Sequence, residues 1–255
     1  IRIPPNLDRS ETQLEAVLPD YLECLLSDAE GHRYALGQQG RIWTDRLGHW
    51  SALQIGDQPL HALRPLGEVL FLAGQNGFRG RLDWVSQQSN GWKDGVEEDL
   101  YAISGTRDQL WVVGDGGTVL RWDGNRWSRA QETPQANFRT VMALRSAVWV
   151  AGEEGAFASF ANQRWTEFTL EENVHASFTA LGAVNGQAFL TAGEAGLFRV
   201  GEEGPRWSDG GDFTRLTQGK GVLYLFGGKK LGVHTGDALK TMELAVQVEE
   251  KAAES

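Results

Sequence analysis

The side chains with the most obvious chemical capacity in this 255-residue chain are five histidines, four tyrosines and a single cysteine. His32, His49, His61, His175 and His234 are scattered, and no two have the helical or strand spacing of a metal pair. Cys24, in the apolar stretch LECLL, has no second thiol to bridge and reads as a packed strand residue. No metal and no cofactor is therefore expected. A serine triad on a strand-to-helix elbow would announce itself as G-x-S-x-G, which does not occur. GDGGTV (114–119) has the glycines of a phosphate-cradling loop, but it reads as a turn between two strands without the helix N-terminus such a loop needs. The remaining chemical resource is carboxylate. The chain carries 34 Asp and Glu against 24 Lys and Arg, a net charge of −10. That balance excludes a nucleic acid as partner, which would need a basic stripe, and suits a basic protein.

The elements that place these carboxylates repeat. WVVGDGGTVLRWDGNRW (111–127) is the clearest copy of a phrase that recurs in 149–165, 34–50, 189–207 and, stretched, 71–92; the copy at 223–236 lacks the tryptophan. The anchoring glycines are Gly37, Gly74, Gly114, Gly152, Gly193 and Gly227, at steps of 37, 40, 38, 41 and 34 residues. Each copy is an aromatic strand, a glycine turn supplying positive φ for a tight hairpin, and a further strand. Upstream of each lies another short apolar run, at 22–26, 60–64, 100–104, 140–144, 178–182 and 213–217. Four strands per unit, A to D, at such a period spell an all-β propeller of six four-stranded blades, with repeats starting near 21, 60, 100, 139, 177 and 212.

A seventh blade stays open if residues 1–19 combine with the tail. The ring is expected to close through a terminal strand, either from residues 11–17 or from ALKTMELAVQV (238–248), which would complete the last blade from its own end. Residues 1–247 thus form a single domain, and 248–255 a frayed tail. Trp50, Trp92, Trp127, Trp165 and Trp207 recur at the D position, where a ring fills the gap between blades. Trp43, Trp84 and Trp122 stand off that register and are expected to be more exposed.

The ends of the phrase carry a resemblance. Thr44, Asp45, Gly48 and Trp50, and then Asp123, Gly124 and Trp127, resemble a degenerate Asp-box, the hairpin motif of bacterial-neuraminidase-repeat propellers. The layout of residues 20–236 is similar to the photosystem II stability and assembly factor group. The resemblance implies a binding scaffold, because members of that group commonly hold another protein. Sialidases share the Asp-box fold, so a glycan-active propeller, hydrolase or lectin, is the alternative. A sialidase site needs an arginine cluster, a tyrosine nucleophile with a Glu partner and an acid/base carboxylate. Here Tyr34, Tyr101 and Tyr224 fall in expected strands, Tyr21 abuts one, and arginines lie mainly on strands C and D.

A propeller opens its D–A connections and B–C hairpins on one face. Sorting by loop puts fifteen acids there: Asp57, Asp94, Glu97, Glu98, Asp99, Glu132, Glu167, Glu171, Glu172, Asp209, Asp212, Asp115, Glu153, Glu154 and Glu194. Against them stand Lys93, Arg129, Arg139, Lys229 and Lys230. The other face gathers Arg33, Arg46, Arg64, Arg107, Arg126, Arg145, Arg206 and Lys220. The expectation is a non-enzymatic scaffold, an assembly factor or an immunity-like inhibitor, whose acidic face steers a basic partner. Its contacts would be Asp94, Glu97, Glu98, Asp99, Asp115, Glu153, Glu154, Glu171, Glu172 and Glu194, with Phe168 and Val174 as apolar anchors. No run of eighteen apolar residues exists, so no membrane insertion is expected. The chain is expected to be soluble, in the cytoplasm or, with a leader removed before Ile1, the periplasm.

Overall fold

In a computed structural model the described residues are 18–86, 88–92, 95–170, 175–219 and 221–243. Blade one is built from β1 (Cys24–Ser27), β2 (Arg33–Leu36), β3 (Arg41–Thr44) and β4 (Ser51–Gln54). Blade two follows with β5 (Leu60–Leu66), β6 (Val69–Gly74), β7 (Arg79–Asp83) and β8 (Gln88–Trp92). Blade three holds β9 (Leu100–Thr106), β10 (Gln109–Gly114), β11 (Val119–Trp122) and β12 (Trp127–Arg129). Blade four holds β13 (Phe138–Ala143), β14 (Val148–Gly152), β15 (Phe157–Ala161) and β16 (Arg164–Phe168). Blade five comprises β17 (Ala180–Val184), β18 (Gln187–Thr191), β19 (Leu197–Gly201) and β20 (Gly204–Asp209). Blade six comprises β21 (Arg215–Gly219), β22 (Val222–Phe226), β23 (Lys230–His234) and β24 (Leu239–Glu243).

Each sheet is four consecutive antiparallel strands, and the six sheets form the expected six-bladed propeller. Among the described residues the helical content is one 3₁₀ turn, Glu153–Gly155. First strands of neighbouring blades touch one another, β5 with β9, β9 with β13, β13 with β17 and β17 with β21, so strand A forms the inner ring. Across the seam, Arg215 of blade six lies near enough to Cys24 of blade one for its charge to act on the thiol, which burial nonetheless pushes up to about 11. The last blade is completed from its own end by β24, which pairs with β23 from Lys230↔Glu243 to His234↔Leu239. Residues 11–17, the other candidate for that role, and the tail beyond 243 lie outside the described residues.

Strand B is sandwiched between blades, which is why it carries unbroken apolar runs instead of an alternating pattern. All six residues of β6, VLFLAG, are buried. Around it Tyr34, Leu36, Leu63, Leu70 and Leu72 join blades one and two in a common core.

Gly193 has the expected positive φ (56°), but four of the other repeat glycines are needed for a different reason. A Cβ on Gly74, Gly114, Gly152 or Gly227 would stand 2.4, 2.1, 1.9 or 1.7 Å from the carbonyl oxygen of Pro59, Asp99, Asn137 or Asp212. In these four blades the chain entering strand A crosses over the end of strand B at that point, and only a hydrogen fits between them; in blade five Ala192 takes this place. Positive φ falls on the later glycine of the hairpin, as at Gly117 (71°) and Gly155 (76°).

The tryptophans divide differently from expectation. Trp122 is buried, because it meets Trp92 at 5.5 Å, Trp127 at 5.4 Å and Phe71 at 6.0 Å between blades two and three. Trp50, Trp92, Trp127 and Trp165 are half-buried, whereas Trp207 is 60% exposed. In blades three and four the residue on β12 or β16 facing the end of strand C is Trp127 (opposite Trp122) or Trp165 (opposite Phe160). Blade five has the buried Pro205 opposite Val200 at that register, and Trp207 comes two residues later.

Candidate functional site

Backbone hydrogen bonds fix which loops share the candidate face. Hairpin residues Gln75, Gly117, Glu153 and Gly193 donate to the carbonyls of Pro59, Ala136, Asn137 and Phe213, all in D–A connections. The two loop sets are thus knitted together around one mouth of the central channel, as expected.

At that mouth, strand A of three successive blades is bulged. The register with strand B jumps between Leu60 and Ala62, between Leu100 and Ala102, and between Phe138 and Thr140. Each jump leaves one residue out of the ladder, and these are His61, Tyr101 and Arg139. A bulge re-aims a side chain out of the pleat, and here three of them are re-aimed onto one another. The rings of His61 and Tyr101 stack with centroids 5.0 Å apart, and the Arg139 guanidinium lies 3.9 Å over the Tyr101 centroid. Blade one extends the stack with Glu23, whose Oε2 is 3.6 Å from His61 Nδ1. Blades five and six bring threonines to the same place, with the amides of Thr179 and Thr214 donating to Thr191 and Phe226.

The carboxylates around this ladder are partly committed. Arg139 Nη1 donates to Asp115 at 2.7 Å and its Nε to Glu153 at 3.1 Å, while the Asn137 amide donates to Glu153 at 2.9 Å. The Asn137 bond and then Arg139 hold the Glu153 carboxyl below the usual carboxylate range. Burial, reinforced by the Asp115 charge, pushes the Tyr101 phenol up, and it donates to Asp115 at 3.2 Å. A phenol held protonated in this way is a hydrogen-bond donor, the opposite of a primed nucleophile.

Glu98 is locked to Arg129 at 2.8 Å, and that bond brings its pKa down to about 2. Asp99 accepts the Asn76 amide at 2.8 Å. Glu97, Glu154 and Glu194 are exposed, with carboxylates that have no partner among the described residues. Asp94, Glu171, Glu172, Val174 and Lys93 lie outside the described residues.

Phe168 is half-buried on β16. Its ring packs against Phe157 at 5.4 Å and closes over Gly204 of blade five, so it caps the blade core instead of standing out as an anchor. The bulge ladder was missed by the sequence reading, which counted His61 among scattered histidines and Tyr101 as a strand residue. Its signal is a column of polar residues just after the first apolar residue of each strand A: Glu23, His61, Tyr101, Arg139, Thr179 and Thr214.

On the opposite face two of the arginines are already engaged, Arg33 with Asp45 at 2.6 Å and Arg46 with Glu68 at 2.7 Å. Asp28, Glu30 and His32, passed over as metal ligands, converge with ligand atoms within 4.8 Å of one another in the first A–B turn. Their chemistry fits a cation poorly. Asp28 already accepts the amides of Glu30 (3.0 Å) and His32 (2.9 Å), the His32 Nδ1 and the Tyr34 hydroxyl, and the Arg46 guanidinium stands 3.5 Å away. Near the resembled Asp-box, Asp45 accepts the Arg33 amide at 2.6 Å and Asp123 those of Asn125 (3.0 Å) and Arg126 (2.9 Å). No helix among the described residues is long and apolar enough to cross a membrane.

No family model matches the chain, and no curated protein matches it. Solved structures do. A catalytically inactive virginiamycin B lyase from Staphylococcus aureus with quinupristin is 15% identical, with a TM-score of 0.68 over 89% of this chain and 83% of that one. YCF48 bound to D1 peptide is 13% identical, with a TM-score of 0.67 over 88% and 82%. The extracellular domain of a putative hybrid two-component system from B. thetaiotaomicron is 12% identical, with a TM-score of 0.70, and the chain covers 34% of its length. At such identities the likeness shows the fold alone: the chain is a β-propeller, similar in fold both to a lyase and to a peptide-bound protein.

Proposed function

We propose that the protein is a non-enzymatic protein-binding scaffold whose channel-mouth face receives an extended, basic segment of a partner protein. The observation that carries this reading is the bulge ladder. Three consecutive blades each give up a ladder position to stack His61, Tyr101 and Arg139 at the mouth, a rigid floor ringed by carboxylates. Asp115 and Glu153 share the single guanidinium of Arg139, leaving that pair of acids with excess negative charge. Glu97, Glu154 and Glu194 add unpartnered carboxylates on the surrounding loops. Such a rim raises the encounter rate of a lysine- or arginine-rich chain, while the floor fixes its position. That YCF48 is found with a peptide supports a propeller of this shape holding a protein segment. An assembly factor and an inhibitory partner would use the same contact.

The test is selection from a random 15-residue peptide library, followed by kinetics with Glu97→Lys/Glu154→Lys/Glu194→Lys. Basic peptides should be enriched, and the triple variant should associate about tenfold more slowly with a flattened salt dependence. Enrichment of acidic peptides would refute the reading. So would turnover of a fluorogenic glycoside that a single carboxylate substitution abolishes.

A further inference from the structure

Blade five departs from the repeat on its outer edge, away from the channel mouth. There the register between β19 and β20 shifts, Leu197 facing Asp209 while Phe198 faces Trp207, so Ser208 is an extra residue. With Pro205 in the interblade place, Trp207 is left 60% exposed, and its indole N–H has no partner among the described residues. A tryptophan so exposed is unusual for a residue that ordinarily buries most of its surface. It lines an open cleft of about 600 Å³ together with Gln187, Arg199, Glu202, Glu203 and Arg206.

The charges in this cleft are arranged at a cost. Arg199 and Arg206 stand directly opposite each other across β19 and β20, a like-charge cross-strand pair that destabilises a sheet. Arg206 is engaged by Glu203 of the adjoining turn. Arg199 is exposed and has no partner among the described residues. In blade three the matching Arg121 lies 5.7 Å over the ring of its cross-strand neighbour Trp111. In blade five that neighbour is Phe189, and His234 of blade six packs on it at 4.2 Å. Arg199 thus lacks the ring contact that Arg121 makes in blade three.

We infer that this cleft binds a carboxylated pyranose, such as a hexuronate unit of an oligosaccharide. A flat exposed indole offers a stacking surface for the C–H face of a sugar ring. The unpartnered guanidinium, pre-formed as a planar fork, matches a carboxylate in bidentate geometry, and its charge relieves the like-charge pair. Glu202 and the free carbonyl oxygen of Gln187, whose amide N–H already donates to Val200 at 2.8 Å, are acceptors for ring hydroxyls. The cleft lies on other residues than the channel mouth, so the two sites stand or fall separately.

The experiment is titration of the ¹⁵N-labelled protein with oligogalacturonate, with its fully methyl-esterified counterpart as the neutral control. The indole N–H signal lost in Trp207→Phe identifies Trp207 among the ten tryptophans. Oligogalacturonate should shift that signal saturably, the ester should bind at least tenfold more weakly, and Arg199→Met should reduce oligogalacturonate binding at least tenfold. Both substitutions fall on exposed side chains, and unchanged melting confirms that the variants are folded. Absence of a saturable shift at millimolar oligogalacturonate would overturn the inference. Equal binding of the ester, or undiminished binding by Arg199→Met, would overturn it as well.

Discussion

Gly152→Ala is the sharpest probe of how strand A is held. The new Cβ would stand 1.9 Å from the Asn137 carbonyl oxygen and 2.8 Å from both the Asn137 carbonyl carbon and the Phe138 Cα. All three are backbone atoms, so the entering chain must move by an ångström or more. That carbonyl accepts the Glu153 amide at 3.0 Å, a bond worth about 1 kcal/mol net. The displacement also pulls the bulged Arg139 away from Glu153, which costs up to about 1 kcal/mol for a partly exposed pair. With residual strain the loss is about 2–3 kcal/mol, within the range for a backbone misfit. Blade five supplies the control. Ala192 follows Thr191, which pairs with Ala180 as Ala151 pairs with Thr140, so Ala192 matches Gly152 in a blade where no bulge is recorded. Ala192→Gly should cost only about 0.5–1 kcal/mol of chain entropy. Urea melts at constant m-value measure both. A Gly152→Ala protein within about 0.5 kcal/mol of wild type would refute the close-approach account of the repeat glycine.

Three further outcomes follow from the same geometry. His234 is buried, and burial holds its pKa below 6.5, so the folded state keeps it neutral while the unfolded state takes up the proton. Stability should therefore be complete above pH 6.5 and fall as pH drops below it, and His234→Gln should flatten that part of the curve. Glu98, depressed to about 2 chiefly by its bond to Arg129, contributes stability present above pH 4.5 and lost as pH falls toward 2. Because Arg129 is 47% exposed, Arg129→Met should cost only about 0.5–1 kcal/mol at neutral pH, read from urea midpoints. Tyr101→Phe removes the hydroxyl that donates to Asp115 and leaves the ring stack, so it should cost about 1 kcal/mol. Tyr101→Ala should additionally weaken binding of a selected basic peptide, measured by anisotropy.

Much of the architecture was legible because a propeller writes its blade into the sequence six times. Strand B is flanked by other blades on both faces and so shows an unbroken apolar run, and in four blades the glycine that ends it cannot take a Cβ without meeting a backbone carbonyl. The site was harder to read. A bulge is a one-residue slip in register, invisible to a pattern that only asks whether a residue is apolar, so His61, Tyr101 and Arg139 looked like unrelated strand residues. Loop charges were legible as a sum, but their pairing was not: Arg139 and Arg129 reach carboxylates 24 and 31 residues away in sequence. Trp207 kept the residue type but stands two residues past the place that Trp127 and Trp165 hold, which Pro205 occupies, and an inexact repeat hides a slip of that size.

Hydrogen–deuterium exchange of the protein with and without a selected basic peptide tests the central claim most directly. The account predicts added protection in 97–99, 115–118 and 153–156, the described loops and hairpins around the bulge ladder. Protection confined to 28–33, 45–49 and 65–68, on the opposite face, would contradict it.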